Sequence, residues 1–167
     1  MSVRPIVLYP ESVLRQKAEP VDPSSAETLS VLRDLWDTLD NHAGVGIAAP
    51  QIGAGARIIA IDATRARRPV PNHGRLALIN PRIILAEGQI SFREGCLSVP
   101  DFVAHIRRAE RVTISAFLPG GHPITIETAG FESVILQHEI DHLDGMLFID
   151  RVHNARDLKP RTQLILN

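Results

Sequence analysis

Apolar residues recur at two different periods along this chain, and the places where the period changes divide it into segments. Between Ser25 and Asn41, residues Leu29, Leu32, Leu35, Trp36 and Leu39 fall at helical spacing with charged residues between them, and Ser24 or Ser25 is available as an N-cap. A helix with one buried face is predicted there. Upstream, Pro5, Pro10, Pro20 and Pro23 forbid a long helix and predict an extended arm with one short helix around Ser12 to Lys17. Downstream come short strand-like runs: Arg57 to Ile61, Leu76 to Ile79, Ile83 to Leu85, Gln89 to Phe92, Val103 to Arg107, Val112 to Leu118 and Ile124 to Glu127. Pro119-Gly120-Gly121 turns the chain between the last two. Val134, Ile135, Leu136, Ile140 and Leu143 then predict a second helix, stopping at Asp144-Gly145 because glycine is favoured just past a helix end. Leu164 to Leu166 reads as an edge strand. Strands segregated from helices predict an α+β fold, with antiparallel or mixed sheets packed around the second helix.

Two loops interrupt this pattern. Gly44 to Gly55, GVGIAAPQIGAG, lacks the preceding strand that a dinucleotide-binding glycine loop requires, and Pro50 breaks the helix that would have to come after it. It is predicted to be a loop whose glycines let a backbone pass close to a substrate, with the Gln51 amide offered to the same space. The cluster around Arg65, Arg67, Arg68, Asn72 and Gly74 reads as a solvated loop.

With 167 residues, the chain is expected to form one domain, residues 1–167. A net charge of -1 gives no case for nonspecific nucleic-acid binding. No apolar run reaches the length needed to span a bilayer, so a cytoplasmic protein without membrane association is expected. Cys96 is the single cysteine, so no intrachain disulfide can form.

Candidate chemistry concentrates in the second helix. His138 and His142, one turn apart in HEIDH, can hold one metal ion, and Glu139 beside them can accept a proton from an activated water. A catalytic tetrahedral site needs three protein ligands and an open position. Cys96, preceded by Gly95 in EGCLS, could be turned into a cleft, although a lone cysteine is more often an inert buried residue.

Taken in order, GVGIAAPQ, EGCLS and QHEIDH closely resemble the three signature motifs of the peptide deformylase family. The opening segment IVLYPESVLRQKAEPV is similar to the family's N-terminal segment, so the resemblance spans residues from about 6 to 150. It implies that Cys96, His138 and His142 are the metal ligands. The metal is usually ferrous iron in the family, with zinc, nickel or cobalt able to substitute, and the reaction removes the formyl group from N-formylmethionyl nascent polypeptides. By the same resemblance Glu139 moves protons, while the Gln51 amide and the Leu97 backbone N–H stabilise the oxyanion. The backbone near Gly46 pairs with substrate, and Val45, Phe92, Phe131 and Val134, with the His138 ring, wall the methionine pocket. Glu94 and Arg108 resemble a family ion pair bracing the cysteine loop. Val103 and Arg107 depart from the common Arg and Pro, which leaves contacts to downstream substrate residues open. Ribosome association, ascribed in some members to a long basic C-terminal helix, is left open by a chain that stops soon after His142.

Two rival readings compete. A zinc endopeptidase shares HEXXH but takes a downstream third ligand, for which His153 is the only histidine present. A noncatalytic binding protein could retain the fold, but it would have no need of the full set of catalytic groups.

Overall fold

Two α-helices, eight strands and several 3-10 turns make up the fold, seen in a computed structural model that describes residues 3–161. Helix α1 (Ala26–Asp40) starts where a serine can cap it: Ser25 Oγ accepts from the Thr28 N–H at 3.1 Å. Its Leu32, Leu35 and Leu39 are buried against Ile47, Ile58, Ala60 and Ile79. Leu29 and Trp36 lie half-buried at the margin of that face, and the Arg75 guanidinium sits 4.1 Å from the Trp36 ring centre.

The strands form two antiparallel sheets. One has the order β1-β2-β3-β6-β7, built from β1 (Gly46–Ala48), β2 (Ile58–Asp62), β3 (Arg75–Glu87), β6 (Arg111–Phe117) and β7 (Pro123–Ala129). The other has the order β4-β5-β8, from β4 (Ile90–Cys96), β5 (Val99–Arg108) and β8 (Leu158–Pro160). A lone parallel bridge joins Glu19 to Ala56. The expected α+β class is the one observed.

Helix α2 (Gly130–Leu143) is the centre of the packing, with every residue buried except Gly130, Phe131 and His138. Its Ile135, Leu136, Ile140 and Leu143 meet Ile59, Ile61, Leu78 and Ile114 of the larger sheet. The helix ends as predicted, with Gly145 at φ +72. A Cβ at Gly145 would also fall 2.6 Å from the Arg15 carbonyl oxygen, so glycine is needed there both for the turn and for the close approach of the arm. The short helix expected near Ser12 is a 3-10 turn, Ser12–Arg15. The arm itself is hydrogen-bonded inward: the N–H groups of Val7, Tyr9 and Ala18 donate to the carbonyls of Gln51, Ser98 and Leu143 at 2.8, 2.9 and 2.8 Å.

Three expectations are corrected. The runs Leu76 to Ile79 and Ile83 to Leu85 belong to one strand, β3, which passes through Asn80-Pro81. The pairing with β2 ends at Ile79, so the N–H missing at Pro81 breaks no ladder, and the Asn80 side chain instead bonds the Val21 N–H and carbonyl at 3.0 and 2.8 Å. The segment Gly44 to Gly55 is not all loop: Gly46–Ala48 forms edge strand β1 against Ile59–Ile61, and a 3-10 turn over Ala49–Ile52 comes next. Arg65 is not merely solvated, since it donates to the Leu39 and His42 carbonyls at 2.9 and 2.7 Å and caps the end of α1. The strand expected at Leu164 to Leu166 lies outside the described residues.

Candidate metal centre

β4 and β5 are joined by a tight turn at Leu97-Ser98, and this turn lifts Cys96 toward α2. Cys96 Sγ and one ring nitrogen each from His138 and His142 all lie within 4.8 Å of one another. Cys96 Sγ stands 3.3 Å from His142 Nε2. A thiolate and two imidazoles around one ion, with bonds of about 2.3 Å to sulfur and about 2.0 Å to nitrogen, require separations of this order. The donor set therefore fits a tetrahedral site with one open position. His153, the third ligand an endopeptidase reading would need, is exposed and outside the cluster.

The second ring nitrogen of His138 is spoken for. His138 Nδ1 lies 2.8 Å from Glu94 Oε2, and Glu94 is gripped by Arg108 through two bonds of 2.7 and 2.9 Å. Arg108 also donates to Asp141 at 2.6 Å, and Arg151 reaches the same carboxylate with two bonds of 2.6 Å. A chain of alternating charge thus fixes the orientation of the His138 ring, the usual role of groups behind a metal ligand. Burial alone would push Glu94 up, but Arg108 and His138 outweigh it and hold its pKa at about 2. Burial likewise works against the Cys96 thiolate, yet the imidazoles of His142 and His138 prevail and hold the thiol well below its ordinary range. The deprotonated sulfur is the form that ligates.

Glu139 stands differently. Burial dominates and lifts its pKa to about 6, although His138 and His142 pull the other way. Among the described residues its Oε2 is buried with no hydrogen-bond partner. A polar atom left in that state is costly unless something else comes to it, and it points to a reacting group. Gln51 completes the ring of polar groups: its Oε1 accepts from the Ala48 N–H at 2.9 Å, which aims Nε2 toward Cys96 Sγ at 3.5 Å and Ser98 Oγ at 3.1 Å. Among the described residues the Leu97 N–H in the turn has no acceptor.

A polypeptide deformylase family model matches residues 3–157. The chain belongs to that family. It is 38% identical over 154 residues to a peptide deformylase of Aquifex aeolicus, covering 92% of this chain and 90% of the relative. To one of Halothermothrix orenii it is 43% identical over 142 residues, covering 85% and 88%. The crystal structure of a peptide deformylase from Legionella pneumophila superposes with a TM-score of 0.84 at 36% identity, over 93% of this chain and 89% of that one. A deformylase from Acinetobacter baumannii, solved with Met-Ala-Ser bound, gives 0.82 at 34% identity, over 91% and 100%.

The other residues expected from the family resemblance lie on α2 and on strands β1 and β4. Phe131, Val134 and His138 fall at helical spacing on one stripe of α2, and Phe92 of β4 stacks on Phe131 with ring centres 4.9 Å apart. Val134 is 2% exposed yet is not part of the three core clusters, whereas Val45, just before β1, and Phe131 pack at the edge of one. Gly46 lies against Glu139 on the edge strand β1. A cavity of about 510 Å³ lies elsewhere, between His73, Glu87, Arg111, Glu127 and Glu132, and shares no residue with the metal centre.

Several supporting groups escape sequence reasoning. They are Ser98, Asp141, Arg151 and Gln137, whose amide clamps the Ala109 N–H and carbonyl at 3.0 and 2.9 Å and so ties α2 to the end of β5. Asp141 carries a signal that could find it, because it lies between the two histidines and is buried with a charge.

Proposed function

We propose that residues 1–167 form one catalytic domain, a metal-dependent peptide deformylase. It hydrolyses the N-formyl group from the terminal methionine of nascent polypeptides and releases formate. The observation that carries this reading is the convergence of Cys96, His138 and His142 beside the buried, unpartnered Oε2 of Glu139.

Cys96, His138 and His142 would hold the ion. Ferrous iron is the resident we assign, and zinc, nickel or cobalt suit the same thiolate and imidazole donors. When bound, the ion supplies Lewis-acid polarisation and makes water nucleophilic near neutral pH. Glu139 takes the proton from the attacking water and returns it to the departing amine. As the formyl carbon becomes tetrahedral, Gln51 Nε2 and the Leu97 N–H donate to the oxygen on which charge develops. The free edge of β1 at Gly46 pairs with the extended substrate backbone. Val45, Phe92, Phe131, Val134 and the face of the His138 ring receive the methionine side chain. Met-Ala-Ser, the peptide bound to the Acinetobacter baumannii relative, has the composition of a deformylated product.

Among the described residues no helix is long and apolar enough to cross a membrane. A cytoplasmic setting fits a single reduced cysteine ligand and a substrate still being synthesised. The test is formate release from formyl-Met-Ala-Ser by metal-replete protein, beside an unformylated internal-peptide substrate. Formate release with the internal peptide left intact is expected. Cleavage of the internal peptide without formate would overturn the assignment.

A further inference from the structure

The smaller sheet has two faces of opposite character. Register pairs Arg93 with His105, Ser91 with Arg107, Gly95 with Val103, and Val103 with Lys159, so these side chains share one face. Arg161, whose N–H donates to the Asp101 carbonyl at 2.8 Å, continues that face beyond β8. The opposite face carries Glu94, Ala104, Ile106 and Arg108 into the core and the metal centre. Arg93, His105, Arg107, Lys159 and Arg161 are all exposed, and among the described residues none of them makes an ion pair. Among the described residues two carboxylates lie close to these cations: Asp101 on the same strand, and Asp157 immediately before β8. Four permanent cations against these two carboxylates give a local charge of about +2 on a chain whose net charge is -1.

Arg161 occupies a specific place on this face. A Cβ at Gly95 would lie 3.3 Å from Val103 Cγ1 and 3.4 Å from Arg161 Nη2, so the absent side chain leaves a notch that Val103 and the guanidinium fill together. Val103 is consequently 6% exposed, and the face presents no apolar surface.

We infer that this face docks on RNA phosphates. The inference rests on the deformylase reading, because a nascent chain is reached on a particle surfaced largely in RNA. Three of the four cations are arginines, whose planar forks suit phosphate oxygens. A membrane partner would call for aromatic or aliphatic residues to enter the lipid, and the face offers none. An extended acidic peptide would need a groove or a free strand edge, whereas this is the side-chain face of a paired sheet. Cys96 belongs to the same β4–β5 hairpin, so docking here would hold the catalytic cleft at a fixed attitude to the RNA surface.

The experiment measures binding of the full chain to purified ribosomes and to a labelled ribosomal RNA fragment across a salt series. Polyglutamate and phosphatidylglycerol vesicles serve as the other polyanions. Wild type should bind ribosomes and the RNA fragment with a log–log salt slope of about -3, as four phosphate contacts imply. The triple variant R93A/R107A/K159A should lose at least about tenfold in affinity and flatten the slope to about -1. The lysine variant R93K/R107K should keep most of the binding. Turnover of formyl-Met amide, which carries no downstream residue, should be unchanged in both variants, which shows that they fold and keeps this inference separable from the activity itself. No binding to RNA at low salt, equal binding by the triple variant, or vesicles or polyglutamate bound as tightly as RNA would each overturn it. Absence of formate release by wild type would instead overturn the deformylase reading.

Discussion

Gly46 and Glu139 touch so closely that a Cβ on the glycine would fall 2.6 Å from the carboxylate Oε1 and 3.0 Å from its Cγ. Edge strand β1 and the Glu139 carboxylate, to which we assign substrate pairing and proton transfer, therefore hold each other in place. Gly46→Ala should displace the Glu139 carboxylate, and since misplacing a reacting group by about 1 Å costs around a hundredfold, kcat should fall by about that factor. Steady-state kinetics with bound metal quantified checks this. Near wild-type kcat would mean that the contact relaxes harmlessly.

Glu139→Gln should separate stability from activity. The buried carboxylate has a folded pKa of about 6 against an ordinary value of 4.5. Its neutral form is thus the one the fold prefers, and metal-stripped protein loses stability as pH rises from about 4.5 through about 6. The glutamine variant, which cannot ionise, should be more stable than wild type at pH 7.5 by about 2 kcal/mol, with the difference gone below pH 4.5. Its turnover should drop by about a hundredfold to ten-thousandfold with metal retained. Thermal unfolding of chelator-treated protein at the two pH values, beside activity of the loaded protein, reads both effects.

For Glu94 the sign is opposite. Its folded pKa of about 2 lies below the ordinary 4.5, so its stabilising effect is full above about pH 4.5 and is lost as pH falls toward 2. Glu94→Gln should shift acid unfolding to higher pH and leave the Arg108 guanidinium with Asp141 as its one charged partner among the described residues. The His138 ring loses its orienting carboxylate as well, and metal affinity should fall by about tenfold to a hundredfold. Acid titration by circular dichroism and metal competition with a chelator test the two halves separately.

Cys96→Ser tests whether sulfur is a ligand at all. An inert buried thiol would tolerate the near-isosteric change, whereas a ligand would lose its charge and its softness together. Metal content per chain should fall sharply, and with iron bound, wild-type activity should decay faster in air than in a nickel-loaded preparation. Full metal occupancy in the serine variant would remove Cys96 from the ligand set.

Phe92 stacked on Phe131, with Val134 next on the same helix stripe, should favour methionine over alanine at the formylated position. Filling an apolar slot is worth roughly 0.8 kcal/mol per methylene-sized group, so kcat/KM for formyl-Met over formyl-Ala peptides should differ by about tenfold or more. Phe131→Ala should narrow the ratio. Equal kcat/KM for the two substrates in wild type would end the case for a methionine pocket here.

The helices and the histidine pair were legible in the sequence because each obeys a local rule, whereas Cys96 joined that pair only through the family resemblance. Ser25 with its leucine stripe and the i, i+4 histidines need no knowledge of distant residues. What stayed hidden depends on partners far along the chain. Ile47 looks like loop sequence between glycines, and only the ladder to Ala60 makes it strand. Pro81 looks like a strand breaker until β2 is known to end before it. Asp141 owes its place to Arg108 and Arg151, and the basic sheet face exists only once register aligns residues 93, 105, 107 and 159. A net charge of -1 averages that face away.

The N-terminal arm, hydrogen-bonded to Gln51, Ser98 and Leu143, also governs the order in which the chain can be completed. It is among the first segments to be synthesised, but its anchors lie in the three motif regions, the last of them at the end of α2. Until that helix has emerged, the arm lacks its last anchor, Leu143, and long-range pairing of this kind is slow. Closure of the arm on Leu143 fastens the turns that carry Gln51 and Ser98 to the helix end. A product truncated before α2 would thus lack both histidines and the arm's last anchor at once.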